Sequence, residues 1–230
     1  NIWGVSDEDL FHHALGCLDK QAAVGKPFFS IIMSTSNHKP FTFPEGAPGV
    51  PVKGGGRDAG IRYADYALGR FMEESRSHAW FDNTLFVIVA DHGARVYGRA
   101  QIPIKSYEIP LLLYAPGKIA AGRVESVMSQ IDVAPTILGL LGLPYRASFY
   151  GHDVLASSAA PNTIVFNHNY NVAILRNNRL SVLGLGRKVS GFIYDPATDK
   201  QIAADITPQD TELAVSYYQT AYELFKRRQY

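Results

Sequence analysis

The sequence predicts an α/β protein with a mainly parallel sheet covered by helices, followed by a small antiparallel β meander and a C-terminal helix. Three short apolar runs, at residues 28–34, 84–90 and 109–115, have the near-continuous hydrophobicity of strands buried on both faces. Helical periodicity between strand patterns is typical of parallel sheets. After about residue 160, short strand patterns joined by Asn- and Gly-containing turns predict the meander.

The N-terminal part of the chain alternates helix, strand and helix. Ser6 is predicted as the N-cap of a first helix, with Asp9 completing a capping box. The run at 28–34 is the first predicted buried strand. Residues 36–57 are rich in Pro and Gly, and a long loop of this kind often carries function. A second amphipathic helix is predicted from Asp58 to about His78.

The remaining elements follow the same reasoning. The runs at 84–90 and 109–115 are the second and third buried strands, and a helix is predicted from Asp132 until Gly142 ends it. Thr207 is predicted to cap the C-terminal helix. Four meander strands are predicted at Thr163–Phe166, Val172–Arg176, Leu180–Leu185 and Gly191–Tyr194. We therefore predict residues 1–158 to be the C-terminal part of a catalytic domain, and residues 159–230 to be the small sheet with the helix packed on it.

Composition excludes several classes of protein. A net charge of +1 over 230 residues gives no basis for binding nucleic acid. A single cysteine cannot form an internal disulfide. No apolar run approaches the roughly 20 residues needed to span a bilayer. The chain begins at Asn1 rather than Met, so we expect a processed or trimmed piece, with any export or anchoring signal upstream.

Asp91-His92-Gly93 is the sharpest chemical feature. It follows a predicted buried strand directly, at the end where open α/β sheets place their ligands. Carboxylate and imidazole together suit Zn²⁺ or Mn²⁺, and Gly93 would permit the backbone turn that lets both side chains reach one ion. Two ligands are too few for a complete site. The alternative is a capping Asp beside an ordinary exposed His.

A second polar segment, residues 34–40, follows the first predicted strand. Asn37, His38 and Lys39 offer hydrogen-bond donors and positive charge, which suit a phosphate oxygen. The alternative is a polar turn with an exposed His. Ser34 and Ser36 are weak candidates for a nucleophile, because no base is spaced to activate either.

Together these segments resemble the sulfatase-like phosphoglycerol transferases, the group of lipoteichoic acid synthases within the alkaline phosphatase/sulfatase superfamily. The resemblance spans about residues 3–155, and the blocks around Asp91-His92 and Asp132 are its specific parts. The matching segments are Trp3-Gly4-Val5-Ser6-Asp7, Pro27-Phe28-Phe29, Ser36-Asn37-His38-Lys39-Pro40-Phe41, Ile61-Arg62-Tyr63-Ala64-Asp65, Leu68-Gly69, Phe81-Asp82-Asn83-Thr84, Ala90-Asp91-His92-Gly93, Tyr107-Glu108-Ile109-Pro110, residues 130–138 and Leu141-Gly142.

The resemblance implies an alkaline phosphatase-like fold and a divided active site. Asp91 and His92 would be two ligands of a divalent metal, Mn²⁺ above all, with Zn²⁺, Mg²⁺ or Ca²⁺ as alternatives. His38 would contact the transferred phosphoglycerol group, with Asn37 and Lys39 beside it. The nucleophilic Thr or Ser and a further acidic ligand would lie upstream of residue 1. No catalytic nucleophile is therefore expected in this chain, which we expect to be inactive alone.

One stretch departs from the closest lipoteichoic acid synthases, which have a further His shortly after the Asp-His pair. Here residues 94–98 read Ala-Arg-Val-Tyr-Gly, so Arg95 is the candidate to supply positive charge to a phosphate. The particular polymer product thus stays open.

The resemblance also implies partners and a location. The expected partners are a glycerophospholipid donor, a glycan or polymer acceptor, and an upstream part of the same protein with transmembrane helices. The expected location is extracytoplasmic, in the periplasm or on the outer face of the cytoplasmic membrane. Two alternatives stay open: a sulfatase or phosphoethanolamine transferase with the same metal pair, and a non-catalytic module that binds an anionic glycan or lipid head group.

Overall fold

The computed structural model describes residues 2–51, 55–96, 98, 100–156 and 163–229. Contacts divide the chain into two compact units, Asn1–Ile88 with Leu111–Ala120, and Val89–Pro110 with Ala121–Tyr230. The predicted boundary between residues 158 and 159 lies outside the described residues, so the division into 1–158 and 159–230 stays a prediction.

The core of the first unit lies between two helices and a short sheet. Helix α1 covers Asp7–Ala22 and helix α2 covers Gly56–Ser75. Burial of each large apolar side chain stabilises the unit by about 1.5–3 kcal/mol. The buried cluster consists of Phe11, Leu15, Leu18, Ala67, Phe71, Trp80, Phe81 and Phe86.

Two of the three predicted strands are present, but they are shorter than predicted and only partly buried, with Leu112 55% exposed. Strand β1 covers Phe86–Val89 and strand β2 covers Leu111–Tyr114, and the two form a two-stranded sheet. The prediction at Ser6 is half right. Ser6 is the N-cap of α1, but its hydroxyl donates to Asp9 Oδ2 (2.6 Å) instead of accepting a backbone N–H.

The prediction of a buried strand at residues 28–34 is wrong for the described structure. The segment has no regular secondary structure and pairs with no other described segment, and three alternate side chains are largely exposed: Phe29, Ile31 and Met33, at 81%, 76% and 73%. Only Ile32 packs against the core. An apolar run becomes a buried strand only when neighbours supply a ladder and a covering layer, and the described residues supply neither.

The second unit begins with the segment around Asp91 and includes helix α3, Val133–Leu140. A 3₁₀ turn, Gln130–Asp132, precedes α3, and Ser129 and Asp132 form a capping box. Asp132 is 2% exposed, and its Oδ1 also accepts from the backbone N–H of His152 (3.0 Å). Asp132 thus holds two chain segments together.

Five antiparallel strands follow in the order of the sequence. They are β3 (Thr163–His168), β4 (Asn171–Arg176), β5 (Arg179–Leu183), β6 (Val189–Asp195) and β7 (Lys200–Ala204). The predicted meander is confirmed, with one additional edge strand, β7. The register pairs Phe166 with Ala173 and Ala173 with Val182. This face packs on Ile102 and Ile104, so it covers the segment that follows Asp91-His92 along the chain.

Helix α4, Pro208–Lys226, packs against β4 and β5. The predicted cap is confirmed, because Thr207 Oγ1 accepts from the backbone N–H of Asp210 (3.1 Å). Arg179 donates from Nε and Nη2 to Asp210 Oδ2 (3.1 and 3.0 Å). Burial raises the pKa of Asp210, but the bonds from Thr207 and Arg179 outweigh it and hold that pKa below its ordinary value. None of the described helices is long and apolar enough to cross a membrane.

Candidate functional site

Asp91 and His92 lie on an exposed turn just after β1, with their side chains directed toward each other. Asp91 Oδ1 accepts from the backbone N–H of His92 (2.9 Å), and Asp91 Oδ2 lies 3.6 Å from His92 Nε2. His92 Nδ1 lies 3.0 Å from the carbonyl oxygen of Gly93, which can only accept. Nδ1 therefore carries a hydrogen, and in the neutral ring the Nε2 lone pair is left as an acceptor, 3.6 Å from the Asp91 carboxylate.

This arrangement fits two ligands of a divalent cation. An imidazole that donates Nδ1–H to a backbone carbonyl has its ring orientation fixed and Nε2 ready to ligate, as in many metal centres. Both side chains are more than three-quarters exposed. Within the described parts of the chain, no group of three His, Cys, Asp or Glu side chains converges. A metal ion held here would therefore take two ligands from Asp91 and His92, with no third side chain of these types beside them in the described residues.

Glycine is needed at position 93 because of close packing, and not because of the backbone freedom that we predicted. We expected Gly93 to permit a turn through its backbone freedom, but its φ is not in the left-handed region. Its surroundings require a glycine instead. A Cβ atom here would lie 2.3 Å from Ser106 O and 3.0 Å from Glu108 O. The turn of residues 91–93, called the metal-pair turn below after its two candidate ligands, is therefore packed directly against the backbone of residues 106–108.

Two further contacts fix the backbone on either side of His92. The Gln130 side-chain amide donates to the carbonyl oxygens of Ala90 (3.2 Å) and Asp91 (3.1 Å). Ser106 Oγ accepts from Val96 N (2.9 Å) and lies 3.3 Å from Val96 O. Arg95 is exposed, and the backbone of the next residue, Val96, is held by these bonds to Ser106. Its neighbours Tyr97 and Arg99 lie outside the described residues.

His38 lies in the first unit, in the loop after the extended segment. Its Nδ1 donates to Lys39 O (2.9 Å), and the Trp3 indole N–H donates to the same oxygen (2.7 Å). The Trp3 ring meets the imidazole edge to face, with centroids 4.6 Å apart. The Lys39–Pro40 peptide bond is cis. In the neutral ring, His38 Nε2 is left as a hydrogen-bond acceptor.

Hydrogen bonds of the buried residues Asp7 and Ser36 hold the start of the same loop. Asp7 is fully buried, and its Oδ1 accepts from the backbone N–H groups of Thr35 and Ser36 (both 2.9 Å). Ser36 Oγ accepts from Asp7 N (3.1 Å) and is itself 1% exposed, which argues against Ser36 as a nucleophile. Gly60 of α2 lets the loop approach, because a Cβ there would lie 2.9 Å from the Phe41 ring.

The structure therefore sorts the six predicted site residues into two sets. Asn37, His38 and Lys39 are exposed neighbours on the loop of the first unit, and Asp91, His92 and Arg95 are exposed on one segment of the second.

Sequence reasoning missed the supporting residues Trp3, Asp7 and Gln130 as parts of a site. Their only signal was a place in the matching segments, since nothing in local spacing connects them to a loop or turn far along the chain.

The model of the sulfatase family matches residues 1–143, well over half of the chain. This chain belongs to the sulfatase family. The Asp91-His92 turn and the His38 loop both lie inside the matched region.

Two relatives of this sulfatase-family chain are named as a lipoteichoic acid synthase and a phosphoglycerol transferase. Lipoteichoic acid synthase 2 of Bacillus subtilis is 25% identical over 220 residues, covering 87% of this chain and 32% of the relative. Phosphoglycerol transferase I of Xanthomonas campestris is 27% identical over 171 residues, covering 72% of this chain and 24% of the relative. The chain thus spans a third or less of either relative.

A solved structure agrees closely with this sulfatase-family fold. A protein in the alkaline phosphatase superfamily from Vibrio parahaemolyticus superposes with a TM-score of 0.92 at 30% identity, over 99% of this chain and 56% of that one. The predicted fold class, an alkaline phosphatase-like α/β part followed by a small antiparallel sheet and a helix, is confirmed. The relatives support a function of the phosphotransferase or sulfatase type.

Proposed function

We propose that this chain is the C-terminal part of a metal-dependent transferase that moves phosphoglycerol, or a related phospho group, from a lipid to a hydroxyl of a glycan or polymer. The observation that carries the proposal is the exposed Asp91-His92 turn, where His92 Nε2 lies 3.6 Å from a carboxylate oxygen of Asp91. The two phosphotransferase relatives give that pair its chemical context.

Asp91 and His92 would hold the divalent cation, for which Mn²⁺ is the first candidate and Zn²⁺, Mg²⁺ or Ca²⁺ the alternatives. Such an ion lowers the pKa of a hydroxyl nucleophile and neutralises charge on phosphoryl oxygens. The remaining ligands and the nucleophilic Thr or Ser are assigned to the upstream part of the same protein. The chain of 230 residues alone is therefore expected to be inactive.

His38 would position the transferred group. Its Nδ1–H is committed to Lys39 O, so Nε2 of the neutral ring accepts a hydrogen bond. A glycerol hydroxyl or an ethanolamine ammonium can donate to it, whereas a plain sulfate ester cannot. This favours a phosphoglycerol or phosphoethanolamine group over a simple sulfate. Asn37, Lys39 and Arg95 would offer donors to the phosphoryl oxygens.

The proposed reaction has two balanced steps. In the first, the upstream hydroxyl oxygen forms a bond to phosphorus, diacylglycerol leaves as an alcohol, and the hydroxyl proton passes to it by way of solvent or a base. In the second, an acceptor hydroxyl oxygen forms a bond to phosphorus, the bond to the enzyme oxygen breaks, and the acceptor's proton returns to that oxygen and restores the enzyme hydroxyl. A lipid donor and a surface glycan acceptor accord with an extracytoplasmic location, anchored by a segment outside this chain.

The test uses the full-length protein with fluorescent phosphatidylglycerol as donor. We expect metal-dependent release of diacylglycerol in the wild type, and loss of both bound metal and turnover in Asp91→Asn and His92→Gln. Asp82→Asn and His13→Gln change exposed residues of the same types elsewhere and serve as matched controls.

The possible outcomes separate the alternatives. Turnover of an aryl sulfate but not of the lipid would identify a sulfatase, and turnover of phosphatidylethanolamine alone would identify a phosphoethanolamine transferase. Metal-dependent turnover by the 230-residue chain alone would show that the site is complete here. Head-group binding with no turnover of any of these donors would leave a binding module.

A further inference from the structure

The tip of the β3–β4 hairpin, residues 167–171, carries an exposed aromatic residue in an unfavourable backbone conformation. Tyr170 is 83% exposed and has a φ of +64°, next to Asn169 at +46°. Two-residue hairpin turns of this kind favour Asn followed by Gly, because a bulky side chain is strained at positive φ. A glycine would suit the turn better, and the exposed Tyr170 ring gains little burial in return.

The rest of the tip is rigidly hydrogen bonded. Tyr107 Oη donates to Asn167 O (2.8 Å) and accepts from His168 Nδ1 (2.9 Å). His168 Nε2 then accepts from Asn169 Nδ2 (3.1 Å). Burial raises the pKa of the Tyr107 phenol, so it stays protonated and able to donate. With both ring nitrogens of His168 bonded, the tip is a fixed platform that presents Tyr170.

A short path of contacts within the second unit connects this platform to the metal-pair turn. The carbonyl oxygens of Ser106 and Glu108 lie against Gly93, and Tyr107 lies between these two residues. The hydroxyl of the same Tyr107 holds the tip. One tyrosine side chain therefore separates the tip from the backbone that supports His92.

The chemistry of the tip suits a neutral polyhydroxyl compound. Residues 167–171 read Asn-His-Asn-Tyr-Asn and contain no Lys, Arg, Asp or Glu. Phosphate sites favour Arg and Lys, so the tip is a poor site for the anionic donor head group. The Nδ2 groups of Asn169 and Asn171 donate within the tip, so their side-chain oxygens are what can accept from hydroxyls, and the phenol ring offers an apolar face to sugar C–H groups.

We infer that the β3–β4 hairpin tip is an acceptor-binding subsite, in which Tyr170 packs against a neutral glycan or polyol whose hydroxyl receives the transferred group. The assignment as an acceptor site rests on the proposed transfer reaction. The binding itself does not, and it can be measured without turnover.

The experiment measures binding of glycerol and of neutral disaccharides (maltose, cellobiose and gentiobiose) to the full-length protein by saturation-transfer NMR. Tyr170→Gly removes the ring and suits the turn, so the hairpin should stay folded. We expect at least one compound to bind the wild type and Tyr170→Gly to weaken that binding about 10-fold or more. Tyr218→Ala, an exposed tyrosine of α4, is the matched control and should bind as the wild type does.

Turnover is scored separately from binding. With phosphatidylglycerol as donor, Tyr170→Gly should lower the ratio of transfer product to hydrolysis product by a similar factor. Absence of donor turnover in the wild type would refute the proposed function, not the binding subsite. Equal binding by the wild type and Tyr170→Gly, or binding of none of these compounds by the wild type, would overturn the inference.

Discussion

Replacement of Gly93 by Ala is the most direct test of how the metal-pair turn is supported. The added Cβ would lie 2.3 Å from Ser106 O, 2.9 Å from Ser106 C and 3.0 Å from Glu108 O. All three are backbone atoms, so no flexible side chain can move aside. Either the turn carrying His92 or the segment around Tyr107 must shift.

The expected loss of stability follows from this crowding. Overpacking a well-packed site typically costs 1–3 kcal/mol, occasionally more, and a clash with backbone alone belongs at about 3 kcal/mol. For a chain of this length, each kcal/mol lowers the melting temperature by roughly 2–4 °C. Gly93→Ala should therefore melt roughly 6–12 °C below the wild type, and in the full-length protein it should bind metal more weakly.

Gly122→Ala is the matched control. Gly122 lies in a loop of the same unit, its φ is not left-handed, and nothing lies within 4 Å of the position of its missing Cβ. Thermal unfolding followed by far-UV circular dichroism compares the two variants directly. If both melt at the wild-type temperature, the packing of Gly93 against residues 106–108 is not what holds the turn.

Three further predictions concern single side chains. His38→Ala in the full-length protein should lower turnover about 10²-fold with metal content unchanged, because a positioned polar group is lost; activity and metal analysis on one sample measure both. Gln130→Ala should weaken metal binding by about 10–100-fold, since the Asp91 carbonyl loses its donor, as measured by metal titration. Asp210→Ala should lower the free energy of unfolding by about 1–2 kcal/mol at pH 7, because its carboxylate no longer accepts from Thr207 N, Thr207 Oγ1 and Arg179. Because the pKa of Asp210 is lowered in the folded state, this difference should shrink as the pH falls from about 4, as urea titrations at pH 7 and pH 3 would show.

Each of the three has a contradicting result. Loss of metal in proportion to activity in His38→Ala would make His38 a ligand. Unchanged metal affinity in Gln130→Ala would show that the turn keeps its shape without the amide. An Asp210→Ala variant as stable as Glu212→Ala, a change at an exposed neighbour on α4, would show that the capping bonds contribute little.

Local patterns in the sequence were sufficient to predict most helices, because each has its own signals. The apolar periodicity of α1 and α2 and the Thr207 cap of α4 are properties of neighbouring residues. Strand β7 was not predicted, because it has no such local signal. Its one large apolar residue, Ile202, is 61% exposed, as an edge strand allows, so it lacked the alternation that marks a half-buried strand.

The residues of the candidate site likewise separate into those with a local sequence signal and those without one. Asp91, His92 and His38 were found because each follows an apolar run in a short polar motif. Gln130 and Asp7 act on segments 39 and 28 residues away, and no spacing rule connects such positions. Gly93 was singled out for a backbone turn, whereas the structure requires glycine there because residues 106–108 leave no room for a Cβ. That requirement depends on residues distant in the sequence, so local reasoning could not find it.

The exposed segment at residues 28–34 has a practical consequence for handling the 230-residue chain. Its sequence, FFSIIMS, is seven residues long, uncharged and free of proline, which is the composition of segments that form steric zippers. With Phe29, Ile31 and Met33 in one exposed row and no ladder partner in the described structure, it offers a template for pairing between molecules. Concentrated solutions of the chain alone should therefore aggregate through this row.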